Sequence, residues 1–581
     1  MIRIVPAAIA GMLAILSVAV MHRGVLLSGF RSLPGGPGDT QLILAVIEHW
    51  HRAFLGQQHW LTVPFFHPIA NTLGYSESLF LYSIPYSALR IAGADPFLAF
   101  QIVLMMWTAL GFAGMFQLCR RGLGIPVVFS AVGASIFAMS NGQFWHFGHA
   151  QNFGVMLVPL EVFLALFYWR LSDKLSNYGW LTGMALAVLV PLHLFTSYYF
   201  GWAFVFFSCL GALLVLGQRW RIFGRRTVFH ELRRAWVSHR WQWLAFGGVT
   251  GVFLAPFLLT YLPILAVQPR RSYAEVRSML PSLVDLINVS PDNLVWGRLV
   301  ALALSPLGTR PMSWELNYGF PPVLLLLFAA TIAVFFRRGS AQAIPAAMGV
   351  KKKPADLSTQ QWVFLLGGVV LLAWLLMLKA GAYSFWRLPY QLVPGAKALR
   401  AVSRLQLLLM VPLIAVAILG LTRAWLWARL KQGWPPGTRT LGFALILIFL
   451  LAEQINTAQV LNWERPAQLA TLAKAKPLPP NCRAFFFVPS IDRAADMHSA
   501  SQSGASALQT EALQLANHVG IPTIHGYSGS PPPNYPWLKL HPESPDYLAD
   551  INRWLRLNNI RDGLCTYNPA DGSWAPYLLP S

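Results

Sequence analysis

The chain has 581 residues, of which 55% are hydrophobic and 11% charged, against roughly 25% charged residues in a soluble globular protein. That shortage excludes one ordinary soluble domain, because a single buried core cannot absorb so much apolar surface and lipid must solvate the rest. The formal charge of +22 does not indicate a nucleic-acid binder: the basic residues stand in short clusters between long apolar runs, facing headgroups and cytoplasm.

In chain order, Ile4 to Met21 follows Arg3 and lacks a small-residue cleavage site, which predicts an uncleaved first span with its N-terminus inside. An outer loop, 22–95, comes next. It holds the glycine-rich turn Gly35-Gly36-Pro37-Gly38-Asp39-Thr40 and a helix from Gln41 to Leu55. The segment Leu79 to Ala94, short and carrying Pro85 and Arg90, is expected to re-enter or lie on the membrane surface rather than cross it.

Ten further apolar runs follow, eleven with the first: Phe97–Leu118, Ile125–Met139, Phe153–Trp169, Tyr178–Leu194, Phe200–Leu216, Trp243–Leu265, Pro321–Phe336, Trp362–Leu378, Leu405–Leu421 and Leu441–Glu453. The loops between them alternate in charge. Arg120 and Arg121, Arg170 and Lys174, the stretch Arg219 to Arg240, Arg337 with Lys351 to Lys353, and Arg423 to Arg439 are assigned to the cytoplasm by the positive-inside rule. Gly339 to Gln360 reads as a flexible cytoplasmic loop.

After the last run the pattern changes. Ala484 to Pro489 reads as a buried strand, Glu511 to Val519 as a helix, and Pro522 to His525 as extended chain before the turn-rich Gly526 to Pro533. Asp546 to Leu557 is an amphipathic helix and Leu564 to Tyr567 a short strand. The expected fold class is therefore an α-helical polytopic membrane protein with a small C-terminal extracytoplasmic α/β domain, divided into 1–456 and 457–581. Cys119 and Cys209 fall in apolar spans, whereas Cys482 and Cys565 share the outer region and could form a disulfide there.

Two outer segments concentrate polar chemistry beside the membrane. Asp39 stands where a helix begins, which a capping role explains; a carboxylate at the bilayer surface can equally take the proton of an attacking hydroxyl. In the segment Asn141 to Asn152, His146 and His149 stand three apart. They could join His49 or His51 in a nitrogen-rich metal site, or bond headgroups as interfacial histidines. Basic residues facing outward oppose the charge rule, among them Arg270, Arg310, Arg387, Arg400 and Arg404, and arginine forks bind phosphate. Glu161, in mid-span, either packs as a neutral hydrogen-bonded group or lines a groove.

Gly38-Asp39-Thr40 after a first span resembles the GT-C glycosyltransferases, multispan enzymes that use polyprenyl-phosphate sugars. The likeness continues in the surface helices, the Arg120-Arg121 turn, the short loop Asn141 to Asn152, and Pro394 to Arg404. The tail Ile521-Pro522-Thr523-Ile524-His525-Gly526-Tyr527-Ser528-Gly529 looks like the end of poorly characterised bacterial relatives. The resemblance implies an inverting transfer of a sugar from a polyprenyl-phosphate donor to a glycan, lipid or protein acceptor, with Asp39 as the base. It places the chain in the cytoplasmic (inner) membrane with its C-terminal domain outside. Glu48, His49, His146, His149, Glu161, Arg400 and Arg404 are the candidate substrate-binding residues. The second outer loop departs from the family's acidic or Arg-containing motifs, having Gln143, His146, His149 and Gln151. That leaves a divalent metal open and no other cofactor specified. A transporter or flippase, or a non-catalytic scaffold for lipid-linked sugars, is the alternative; neither matching halves nor interrupted repeats favour the transporter.

Overall fold

The computed structural model describes residues 4–171, 177–268, 271–308, 313–337, 359–430, 435–488, 503–536 and 546–580. Lys174, Arg270, Arg310 and the Lys351 to Lys353 run lie outside them.

Each of the eleven apolar runs forms a helix. Eight helices among the described residues are long and apolar enough to cross a membrane, and three shorter apolar ones cover Val5–Met21, Pro322–Arg337 and Pro436–Ala452. The chain is a membrane protein, mostly helical. Val402–Leu430 and Val127–Trp145 are largely enclosed by their neighbours and form the middle of the bundle. Arg225–Val267 is largely uncovered and lies at its edge. Phe80–Ile91 has 12 residues, about 18 Å at 1.5 Å per residue, too short for a hydrocarbon core of about 30 Å.

One expectation is corrected here. The basic stretch Arg219 to Arg240 is not an open loop, since Tyr198–Phe223 and Arg225–Val267 carry helix through it with breaks at Gly224 and His239. The predicted reason for a loop was its charge, and arginine is a good helix former in spite of it.

After Pro436–Ala452 the chain returns to the first outer loop. Ser32–Leu33 pairs antiparallel with Trp463–Glu464, and Arg465 meets Asp95 at 2.6 Å. Beyond an unforeseen helix, Arg465–Ala473, lies a three-stranded sheet: Ala484–Phe487 runs parallel to Leu564–Asn568, which pairs antiparallel with Ser573–Pro576. All four residues of Ala484–Phe487 are buried, as a strand covered on both faces requires. The final strand, Ser573–Pro576, was not predicted because four residues ending in proline give no period to read.

The Ile521–Gly529 segment lies between this sheet and the first outer loop. Thr523 bridges in parallel to Phe485, while the Phe66 amide donates to the His525 carbonyl at 3.0 Å and the His67 amide to the Thr523 carbonyl at 3.0 Å. Ser503–Val519 packs along Asp39–Phe54: Gln514 donates to the Gln41 carbonyl at 2.6 Å and Asn517 to the Ala45 carbonyl at 2.9 Å. The loop 22–95 and the C-terminal segment are therefore one packed layer, joined partly through backbone.

Cys482, just before Ala484–Phe487, is bonded to Cys565 on the central strand Leu564–Asn568, closing a loop of sequence separation 83. Replacing both with Ser is expected to cost about 2–4 kcal/mol of stability in this layer. Limited proteolysis should show 457–581 cut faster while the apolar helices stay intact; equal cleavage rates would refute the expectation.

Candidate active site

The Gly35 to Thr40 turn is built to bring two loops into contact. Gly35 has φ +76°, and a Cβ there would lie 2.0 Å from the Thr40 hydroxyl and 2.9 Å from the Cα of Gly148. Gly148 presses back, its own Cβ position falling 2.8 Å from the Gly35 Cα. Only two glycines allow this approach. Thr40 Oγ1 then donates to the Gly148 carbonyl at 2.6 Å, fixing the first outer loop against the second.

Gly38, at φ 107°, takes the cap position of the helix and has no side chain to cap it; Asp39 is the first helical residue, and among the described residues its carboxylate bonds no amide of the helix. Its carboxylate is therefore free of the helix end. Oδ1 accepts from the Tyr527 hydroxyl at 2.9 Å, and Oδ2 lies 3.5 Å from His149 Nε2. The Asp39 side chain keeps 41% of its surface exposed, so a substrate can reach it. A negative group in the first turn also suits the helix dipole.

The neighbours set their own protonation. Enclosure by protein and then the charge of Arg404 hold His149 below the ordinary histidine range, against the pull of Asp39, so it is neutral at neutral pH. Burial and then the charge of Asp39 push the Tyr527 phenol up, keeping its proton in place to donate. The charge of Arg400 acts on both His149 and Tyr527.

Behind this centre lies a second layer. Arg404 is buried and grips Glu315 with two bonds, Nε to Oε2 at 3.0 Å and Nη2 to Oε1 at 2.5 Å, and its guanidinium stands over the Tyr199 ring. Although burial pushes Glu315 up, Arg404 outweighs it and brings the carboxyl to about 2. His146 stacks flat on Tyr318, ring centres 3.9 Å apart. The Arg400 and Ala401 amides both donate to the Tyr199 hydroxyl, which orients the turn bearing Arg400.

The predicted residues divide accordingly. Asp39 and His149 come together, with Arg400 acting on them through space. His146 and Arg404 form the packed layer behind. Glu48, His49 and Glu161 are placed elsewhere. Glu48 sits about 13 Å along the helix from Asp39 by its rise, where it accepts from Arg90 Nε at 3.0 Å and from the Tyr86 hydroxyl at 2.5 Å. His49 is buried, bonded to Gln58 and the Trp60 carbonyl. Glu161 is closed against His193 at 3.0 Å, fully buried inside the bundle. None of the three touches Asp39, and each has a packing role that accounts for it.

Sequence reasoning misses Glu315 and assigns no role to Tyr527 or Glu77. Tyr527 reads only as part of the family-like tail, in a turn open equally to a structural role and to binding an acceptor or partner. Glu315 lies in a four-residue 3₁₀ turn with no pattern. Glu77 receives the Tyr198 and Tyr199 amides, has one oxygen without a partner among the described residues, and is pushed by burial from 4.5 to about 7, Arg404 opposing.

A metal was left open, and the donors do not fit one. A zinc-type site needs three or four ligands. Asp39 and His149 are two, His146 has its ring against Tyr318, and no group of three His, Cys, Asp or Glu able to hold a metal occurs among the described residues.

No family model and no curated protein matches the chain. Three solved structures are similar to it. Archaeal oligosaccharyltransferase AglB from Archaeoglobus fulgidus, in complex with an inhibitory peptide and a dolichol-phosphate, has a TM-score of 0.44 and 12% identity over 97% of this chain and 69% of that one. Arabinofuranosyltransferase AftD from Mycobacteria gives 0.42 and 16% over 83% of this chain, which spans 29% of AftD. ArnT from Cupriavidus metallidurans, bound to undecaprenyl phosphate, gives 0.33 and 16% over 90% of this chain and 85% of ArnT. These neighbours are GT-C glycosyltransferases. The likeness is too remote to carry the chemistry, which rests on the residues above.

Glu77 yields a pH test. Its folded value, about 7, lies above its ordinary 4.5, so its contribution to stability is complete below about 4.5 and is lost as pH rises through about 7. Glu77→Gln fixes the neutral form. The variant should match the parent at pH 4 and exceed it by about 1–2 kcal/mol at pH 8. Thermal unfolding in detergent at the two pH values measures the difference; a variant no more stable at pH 8 refutes the assignment.

Proposed function

We propose that the chain is an inverting glycosyltransferase that moves a sugar from a polyprenyl-phosphate donor to an acceptor hydroxyl at the outer face of the cytoplasmic membrane. In this reading it crosses the bilayer eleven times with its N-terminus inside, and 457–581 is an extracytoplasmic α/β domain. The observation that carries it is Asp39: a carboxylate at a helix start, released from capping, reachable from outside, and held by one oxygen.

Asp39 Oδ2 takes the proton of the acceptor hydroxyl as its oxygen attacks the anomeric carbon from the face opposite the phosphate. The bond from that carbon to the phosphate oxygen breaks, and the electron pair leaves with the polyprenyl phosphate. Arg400, the arginine here with no ion-pair partner among the described residues, stabilises that oxyanion. Arg404 is occupied by Glu315 and shapes the pocket through it. Neutral His149 can bond the substrate by donating from one ring nitrogen or accepting at the other.

Tyr527 acts by positioning. Its bond to Oδ1 turns the carboxylate so that Oδ2 faces the acceptor, and it brings the C-terminal layer into the site.

The test uses purified full-length protein with synthetic undecaprenyl-phosphate pentoses and hexoses, reading release of undecaprenyl phosphate. Asp39→Asn should lower release by about 10²–10⁴-fold while the protein still binds undecaprenyl phosphate. Arg400→Gln should weaken that binding. Release unchanged by Asp39→Asn would remove Asp39 as the base, and a parent that binds the lipid but releases no undecaprenyl phosphate from any donor would exclude the enzymatic reading and favour a carrier. Tyr527→Phe should lower kcat by about tenfold with KM little changed. A KM that rises while kcat is unchanged would leave Tyr527 a purely structural contact.

A further inference from the structure

The edge helix Arg225–Val267 is 43 residues long and leaves helical geometry at His239, φ −119° and ψ 17°. A crossing needs about 20 residues, so the part before His239 is left over at the inner end of the span. Its surface is neither core nor ordinary solvated helix. Phe229, Leu232 and Trp236 are 71%, 53% and 57% exposed. At 100° per residue these three fall within an arc of about 60°. Arg226 and Arg233, seven positions apart, form a stripe along one border of that arc, and Arg240 follows just past the break.

The charge is strongly one-sided. Between Arg219 and Arg240 the sequence holds seven arginines and a single acidic residue, Glu231, which Arg219 already engages at 2.6 Å. That ion pair folds the end of Tyr198–Phe223 against the start of Arg225–Val267. The hairpin therefore shows an apolar aromatic face bordered by arginines, with no acidic group of its own left to neutralise them.

We propose that this hairpin is a docking surface for anionic phospholipid, with Phe229, Leu232 and Trp236 seated at the acyl–headgroup boundary and Arg226, Arg233 and Arg240 on the phosphates. Two observations choose lipid over an acidic soluble partner. Trp236 and Phe229 stand about 10 and 21 Å of helix before Trp243, inside the apolar run, and the break at His239 between them and the span is, in this proposal, where the segment turns along the headgroup layer. The exposed residues between the arginines include Phe229, Leu232 and Trp236, large apolar side chains that acyl chains cover and water does not. The inference rests on the inner end being cytoplasmic, where anionic lipid is available, and not on the transfer reaction.

The test places a single environment-sensitive dye on Phe229→Cys in a Cys209→Ser background, since Cys119 is buried and Cys482 and Cys565 are bonded. The full chain is put into nanodiscs of phosphatidylcholine alone or with phosphatidylglycerol. With phosphatidylglycerol the dye should shift to the blue and be quenched by headgroup spin labels, and 0.5 M salt should weaken the effect. A dye that stays in water in both discs, or responds equally in both, overturns the proposal. A second measurement needs no dye: native mass spectrometry of the parent should retain phosphatidylglycerol over phosphatidylcholine. The triple change of Arg226, Arg233 and Arg240 to Gln should reduce that preference at least tenfold, at about fivefold per arginine. If the triple variant does not fold, the parent's lipid preference decides alone, and no preference overturns the proposal. A hairpin that takes up RNA while ignoring phosphatidylglycerol would also overturn it.

Discussion

The site depends on one close approach, the contact of Gly35 with Gly148. Two backbones meet where any side chain would collide, and the Thr40 bond to the Gly148 carbonyl then sets their register. From that contact follow the start of the helix at Asp39, the position of His149 one residue beyond Gly148, and the opening onto which Tyr527 closes. A contact between loops over 100 residues apart in sequence is costly to form by chance, since loop closure must be offset by what it assembles. Here the tail supplies part of the offset, through strand-like bonds from Thr523 and His525 to the first outer loop.

The remaining charges separate into two kinds. Glu48 with Arg90, Glu161 with His193, and Glu315 with Arg404 are closed pairs, most of their atoms out of water. Glu453 belongs with them: it accepts from Trp296 and from the Val323 and Leu324 amides, so it fastens the start of Pro322–Arg337. A closed pair in a low dielectric is a device for register, and opening it would strand a charge. Asp39 and Arg400 differ in being reachable, held in place by neighbours yet not neutralised by them. That contrast, more than any motif, marks them as the groups with work left to do.

The sequence was informative where a physical signal is local. Long apolar runs must become helices in lipid, and every one did, because the backbone has no other way to satisfy its polar groups there. The glycines before Asp39 announced a turn and a helix start for the same reason. Pairing was far less legible. Glu48 and His49 looked like site residues because they are polar and near Asp39 in sequence; the helix rotates and carries them away, into contacts with Tyr86, Arg90 and Gln58. Tyr527 is 488 residues from Asp39, and nothing in a tyrosine between glycine and serine says which carboxylate it will meet. Glu315 offered no period, only a charge before a span.

In the proposed reading Tyr527 also bears on how Asp39 works as a base. Its hydroxyl fixes Oδ1 and leaves Oδ2 to face an incoming hydroxyl, which a carboxylate bonded through both oxygens could not do. A buried carboxylate would lie out of that hydroxyl's reach, whereas the Asp39 side chain keeps 41% of its surface exposed. The cost is that the base's geometry depends on the far end of the chain, so catalysis in this reading requires the C-terminal layer to be folded and docked.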